Sequence, residues 1–134
     1  MKPIEGETPM FQNLNVFRTA ITMARHAGAQ QALSAQNIAN ADTPGYRGID
    51  LPEFTEILRG RPSAMRATRA GHLNRASGAA PFDLAERRKA EDPNGNTVSL
   101  EAEMLTAVDA QRAHDRALAI YRSNLTLLRS SLGT

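Results

Sequence analysis

The chain has 134 residues, 41% hydrophobic but only 4% aromatic, with no Trp, no Cys and a formal net charge of +2. That length suits one ordinary domain. The missing cysteines exclude disulfides and thiolate metal sites, and the near-balanced charge gives no electrostatic case for nucleic-acid binding.

The first nine residues, Met1 to Pro9, carry Glu5 and Glu7 and no apolar core. They do not read as a cleavable secretory signal. No apolar run approaches the roughly 20 residues of a membrane span. The expectation is a chain that is soluble when made and that, if it works outside the cytoplasm, leaves by some other export route.

From Pro9 a long helix is predicted, with Pro tolerated in its first turn. Apolar or small residues recur at Met10, Leu14, Phe17, Ile21, Ala24, Gly28, Gln31, Ala35 and Ile38. The alternating steps of four and three make a heptad seam. Thirty residues of helix would run roughly 45 Å. Gly28 in a helix interior costs about 1 kcal/mol relative to Ala. It is either a tolerated defect or a close-packing contact in a crowded lattice.

A sharp stop follows at Asn37-Ile38-Ala39-Asn40-Ala41-Asp42-Thr43-Pro44-Gly45-Tyr46. Asn40 suits a left-handed position after a helix. Thr43 precedes Pro44 and is pushed out of the helical region. Pro44-Gly45 fits the centre of a type II turn, and Asp42 is a candidate Asx turn. Tyr46 offers a ring to pack and a hydroxyl to bond.

The middle, residues 47–98, is irregular. Ile49, Leu51, Phe54, Ile57 and Leu58 suit a short helix or an extended docking segment. Arginines dominate from Arg59 to Arg75 (Arg59, Arg61, Arg66, Arg69, Arg75), without the interleaved aromatics that stack bases. They read as a solvated, lattice-bridging surface. No strand shows convincing alternation. A loop this long inside a compact domain is unusual, and partial disorder or ordering by neighbours is expected.

Asn94-Gly95-Asn96 marks a turn, and Thr97 and Ser99 are both candidate N-caps for a second long helix. Its stripe is Leu100, Met104, Val108, Gln111, Leu118, Tyr121, Leu125, Leu128 and Leu132, with Gly133 at its end. Glu101, Glu103 and Asp109 lead while Arg122 and Arg129 trail, which suits the helix dipole. Leu125, Leu127, Leu128 and Leu132 spread wider than one seam, so the last turns expect neighbours on more than one side.

Chemistry is hard to find. His26, His72 and His114 share no metal-ligand spacing. Ser34 has no identifiable base, Glu101 and Glu103 are explained by dipole and solubility, and the glycines form no phosphate loop. No catalytic residue, metal site or cofactor is expected.

The stretch Ala32 to Tyr46 closely resembles the N-terminal signature of bacterial flagellar basal-body rod and hook proteins. Asn37, Ile38, Ala39, Asn40, Thr43, Pro44, Gly45 and Tyr46 all fit its pattern. The shortness of the chain, Ile49-Asp50-Leu51 with Phe54, Thr68 and Gly71-His72-Leu73 resemble a proximal-rod member of that family. So does Val98-Ser99-Leu100-Glu101 with Glu103-Met104, although Ser99 stands where Asp is more usual. The C-type proximal rod protein ranks second, because its turn usually differs from Asp-Thr-Pro-Gly-Tyr.

The resemblance implies an all-α fold in which the long terminal helices pack as an antiparallel, coiled-coil-like pair. An irregular, partly disordered middle joins them. The parts are expected at 1–46 (rod-core helix and turn), 47–98 (outer segment) and 99–134 (second rod-core helix). The expected packing interface is Leu14, Phe17, Ile21, Gly28, Ile38, Met104, Val108, Leu118, Tyr121, Leu125, Leu128 and Leu132. The implied role is a structural rod subunit that transmits torque. The implied partners are self and related rod subunits, membrane-ring and export-gate adaptor proteins, and the type III export apparatus in transit. The Arg-rich segment is expected to face the peptidoglycan or a neighbouring subunit. A cytoplasmic helical adaptor is the alternative class; an enzyme is a distant third.

Overall fold

The computed structural model describes residues 8–59, 82–88 and 92–133. In chain order it comprises helix α1 (Thr8–Ala39), strand β1 (Ile49–Asp50), helix α2 (Phe54–Arg59), strand β2 (Ala85–Glu86) and helix α3 (Leu100–Ser131). The two long helices have 32 residues each, roughly 48 Å at 1.5 Å per residue.

They pack against each other as an antiparallel pair. Asn124 Nδ2 donates to the Asn13 carbonyl at 3.1 Å, and Gln31 Nε2 donates to Gln111 Oε1 at 3.0 Å. Between these, Phe17 and Tyr121 meet edge to face with ring centroids 5.1 Å apart. One end of α1 therefore lies beside the far end of α3, as the sequence led us to expect.

The seam between the helices differs from the expected one. The buried positions of α3 are Glu103, Ala110, Ala117 and Asn124, each seven residues from the next. On α1, Ala20, Ala27 and Ser34 are buried at the same spacing, with Leu33 and Asn37 beside them. Phe17, Ala24 and Ile38 are half-buried, whereas Leu14, Ile21, Gly28, Gln31 and Ala35 are exposed. The intramolecular seam thus runs one residue over from the pattern of bulky residues. Leu100, Met104, Val108, Gln111, Tyr121 and Leu132 are likewise exposed on α3, while Leu118, Leu125 and Leu128 are half-buried. Alanine at the contact lets two helices come close, and the larger side chains are turned outward. The side chain of Met10 lies outside those described.

Local chemistry sets the helix ends. Ser99 caps α3 in extended conformation, its Oγ accepting from Ala102 N. Thr97, the other candidate cap, is used elsewhere. Gly133 takes φ +74 just past the C-terminus of α3. At the end of α1, no described non-glycine residue has positive φ, so Asn40 is not a left-handed cap. It works instead through its side chain, Nδ2 donating to the Gln36 carbonyl at 2.9 Å. The Asx turn expected at Asp42 fails for a simple reason: the residue two on is Pro44, which has no N–H to donate.

The middle begins with a two-residue strand and then a short helix, so both readings of that stretch are realised. β1 and β2 are antiparallel, with Ile49 opposite Glu86 and Asp50 opposite Ala85. Two residues are too few to show an alternating pattern, which is why neither strand was visible in the sequence. The arginines from Arg61 to Arg75, Thr68 and Gly71-His72-Leu73 lie outside the described residues, as do all of 60–81 and 89–91 in the segment expected to be partly disordered.

Candidate functional site

The signature residues fold into a junction where the chain leaves α1 and later returns to α3. Asn37, in the last turn of α1, is fully buried. Its Nδ2 donates to the Ile49 carbonyl at 3.0 Å, and its Oδ1 accepts from Ile49 N at 3.0 Å. The amide side chain pairs with Ile49 as a neighbouring strand would. β1 turns its other edge to β2, where Ile49 lies opposite Glu86 and the Gly48 carbonyl accepts from Arg87 N. Tyr46 Oη closes the set by donating to Asn37 Oδ1 at 3.2 Å.

Between these residues lies the turn. Tyr46 N donates to the Thr43 carbonyl at 3.3 Å around Pro44-Gly45, and Gly45 sits at φ +71. This is the type II turn that the sequence predicted, with glycine where the backbone needs positive φ.

The returning chain, just before α3, holds the turn from the other side. Asn96 is almost wholly buried. Its Nδ2 lies 2.9, 2.8 and 2.9 Å from the carbonyls of Asn40, Ala41 and Thr43, in the turn that follows the end of α1. Its Oδ1 accepts from Val98 N at 2.8 Å. Thr97 Oγ1 accepts from Gly48 N at 2.9 Å, and Thr97 N donates to the Tyr46 carbonyl. Gly45 N donates to the Asn94 carbonyl at 2.9 Å.

Three charges lie next to this polar knot. Arg87, just after β2, donates from Nε to both carboxylate oxygens of Asp50 at 3.1 and 3.0 Å, and its terminal nitrogen also pairs with Asp50. The same nitrogen lies 2.6 Å from Glu103 Oε1 in the first turn of α3. Hydrogen bonding to Asp50, aided by Glu103, pushes the Arg87 guanidinium above its usual range despite the opposing effect of burial. Glu103 is therefore not the solvated, dipole-serving acid that its position suggested. Farther along α1, His26 Nε2 donates to the Pro52 carbonyl at 2.7 Å. Its ring packs against Phe54 and Phe82, which ties the middle segment to α1.

Of the expected signature residues, Asn37, Asn40, Thr43, Gly45 and Tyr46 all make bonds within this junction, and Pro44 occupies its turn. Ile38 and Ala39 occupy the last turn of α1. Sequence reasoning missed the depth of Asn96, Thr97, Arg87 and Glu103, and the pairing of Asp50 with Arg87. The Asn-Gly-Asn turn signal pointed at Asn96, but nothing local shows that the end of α1 lies against it.

The second feature is the outer surface. Leu14 and Ile21 on α1 and Met104, Leu105, Val108, Leu127 and Leu132 on α3 are exposed, Leu127 at 62% and Leu132 at 79%. Scattered single apolar residues need no explanation, but several on two long helices make their outer faces a candidate for association. A shallow groove beside the seam, lined by Ala20, Ile21, Ala24, Ala117, Leu118 and Tyr121, has only Arg25 and His114 as ionisable neighbours. Among the described residues no group of His, Asp and Glu is placed to hold a metal ion, and no helix is long and apolar enough to cross a membrane.

No protein-family model matches the chain. It is 25% identical over 124 residues to the flagellar basal body rod protein FlgB of Agrobacterium fabrum, a span of 84% of this chain and 88% of the relative. To the protein of the same name from Salmonella typhimurium it is 30% identical over 106 residues, 72% of this chain and 77% of the relative. With the paired terminal helices and the signature junction in place, this likeness assigns the family: the chain belongs to the FlgB flagellar basal body rod proteins.

Proposed function

We propose that this chain is a structural subunit of the proximal rod of the bacterial flagellar basal body, and that it transmits torque rather than catalysing a reaction. The observation that supports this reading is the inverted placement of bulk. Alanines (Ala20, Ala27, Ala110 and Ala117) hold most of the buried apolar positions of the seam inside the subunit, and Leu14, Ile21, Met104, Leu105, Val108, Leu127 and Leu132 face outward. Burying a Leu is worth about 1.5–3 kcal/mol, so these side chains are a driving force that the single chain leaves unused.

In this reading residues 1–46 and 99–134 form the rod core and 47–98 the outer part. Neighbouring copies and related rod subunits cover the exposed leucines. The chain passes through the type III export apparatus, and at the rod base it meets the membrane ring and export-gate adaptor proteins. The Arg-rich segment beyond Arg59 faces peptidoglycan or a neighbouring subunit.

The test is incorporation. In cells lacking the native chain, Leu105→Asp and Leu127→Asp variants are expected to be exported and yet absent from purified basal bodies, with motility lost. In isolation both should have the helix content of the parent protein. Normal incorporation of both variants, or absence of the unaltered chain from basal bodies, would overturn the reading. The latter outcome is the one a cytoplasmic adaptor gives.

A further inference from the structure

We infer that Arg87 is a positioning residue, which sets the returning middle segment on the helical pair by neutralising a buried carboxylate of α3. Neither the helix pattern nor the signature marks this arginine. Three facts single it out. Its side chain is 9% exposed and touches carboxylates from two other elements, Asp50 of β1 and Glu103 of α3. Its backbone N donates to the Gly48 carbonyl at 2.8 Å, so backbone and side chain dock together. Glu103 is 1% exposed, and neither of its oxygens has a hydrogen bond to any other described group.

The two carboxylates are not equivalent. Asp50 is 44% exposed and stays hydrated without the arginine. Glu103 does not, because a charge taken out of water and left without its partner is strongly unfavourable. Removing Arg87 therefore strands Glu103, and the chain relieves this by letting the segment lift and water enter. Gly48 tightens the fit: a Cβ there would meet Val98 Cγ2 at 3.3 Å and Arg87 Cζ at 3.4 Å. The guanidinium is held from three sides, by β1, by α3 and by the residue before the strand.

The experiment is amide exchange in the full chain, read at Gly48, whose N–H is bonded to Thr97 Oγ1, and at Arg87, bonded to the Gly48 carbonyl. Arg87→Met should speed exchange at both by about tenfold or more, since local opening is what this exchange measures. Adding Glu103→Gln to that variant should return both to within about threefold of the parent protein, because the stranded charge is gone although the lost packing is not. Arg87→Lys, which keeps the charge but not the fork, should fall between. If Arg87→Met alone does not fold, folding of the double variant supports the inference and its failure to fold overturns it. Unchanged exchange in Arg87→Met, or a double variant as fast as the single one, also overturns it.

Discussion

At the scale of residues, the junction depends on two asparagines whose amides stand in for backbone. Asn96 offers its Nδ2 to three carbonyls and its Oδ1 to Val98 N, so both ends of its amide are in use. Asn96→Ala removes the donor to the Ala41 carbonyl and the acceptor of Val98 N, and should lower stability by about 1–3 kcal/mol in urea unfolding. Asn96→Asp has nearly the same shape but no donor, and it turns a carboxylate toward those carbonyls. It should be less stable than the Ala variant near neutral pH. An Asp variant as stable as the parent chain would show that the carbonyl contacts contribute nothing. Gly45→Ala, at φ +71, should cost about 1–2 kcal/mol because a Cβ is disfavoured in left-handed backbone. The type II turn and the glycine that it requires were legible in the sequence, since their chemistry is local. Asn96 and the Arg87–Glu103 pair were not, because their partners come from other elements and nothing in a residue's neighbourhood announces burial across such a distance.

At the scale of elements, both long helices, the Ser99 cap and the break after Ala39 follow from patterns that local sequence carries. The seam does not. Reading periodicity favours bulky residues, and here the bulky stripe and the buried stripe sit side by side on each helix. Leu14 and Ile21 point out while Ala20, Ala27, Ala110 and Ala117 point in. A one-residue offset of this kind turns the helix face by about 100° and is set by which neighbour wins the contact. Gly28 tests the consequence. It is exposed, and a Cβ added there would meet nothing within 4 Å. Gly28→Ala should therefore raise the stability of the isolated chain by about 1 kcal/mol, read by chemical denaturation. If a neighbouring helix approaches closely at Gly28 in the rod, the same variant should be depleted from basal bodies while being more stable on its own. Opposite signs in the two assays identify a lattice contact; equal incorporation makes Gly28 a tolerated defect in the helix.

At the scale of the whole molecule, an alanine seam and a leucine surface divide the work of folding from that of assembly. Burying one methylene is worth about 0.8 kcal/mol and a whole Leu about 1.5–3 kcal/mol, so each alanine at the seam contributes less than a leucine would. The isolated pair gains little from its own contact, and the larger gain is deferred to whatever covers Leu105, Leu127 and Leu132. Two substitutions separate these roles. Ala117→Leu forces extra methylenes into a position that is almost fully buried. It should destabilise the isolated chain by about 1–3 kcal/mol, as overpacking does. Leu105→Asp changes a position that is already mostly in water, and the melting of the isolated chain should move little. Assembly should rank them the other way for a given loss of stability: the Ala117→Leu chain should still enter basal bodies whenever enough of it is folded, at lower temperature for instance. The Leu105→Asp chain should stay out at every temperature. If cooling restores both equally, the outer leucines serve only the fold, and the separation of inner and outer faces has no functional meaning.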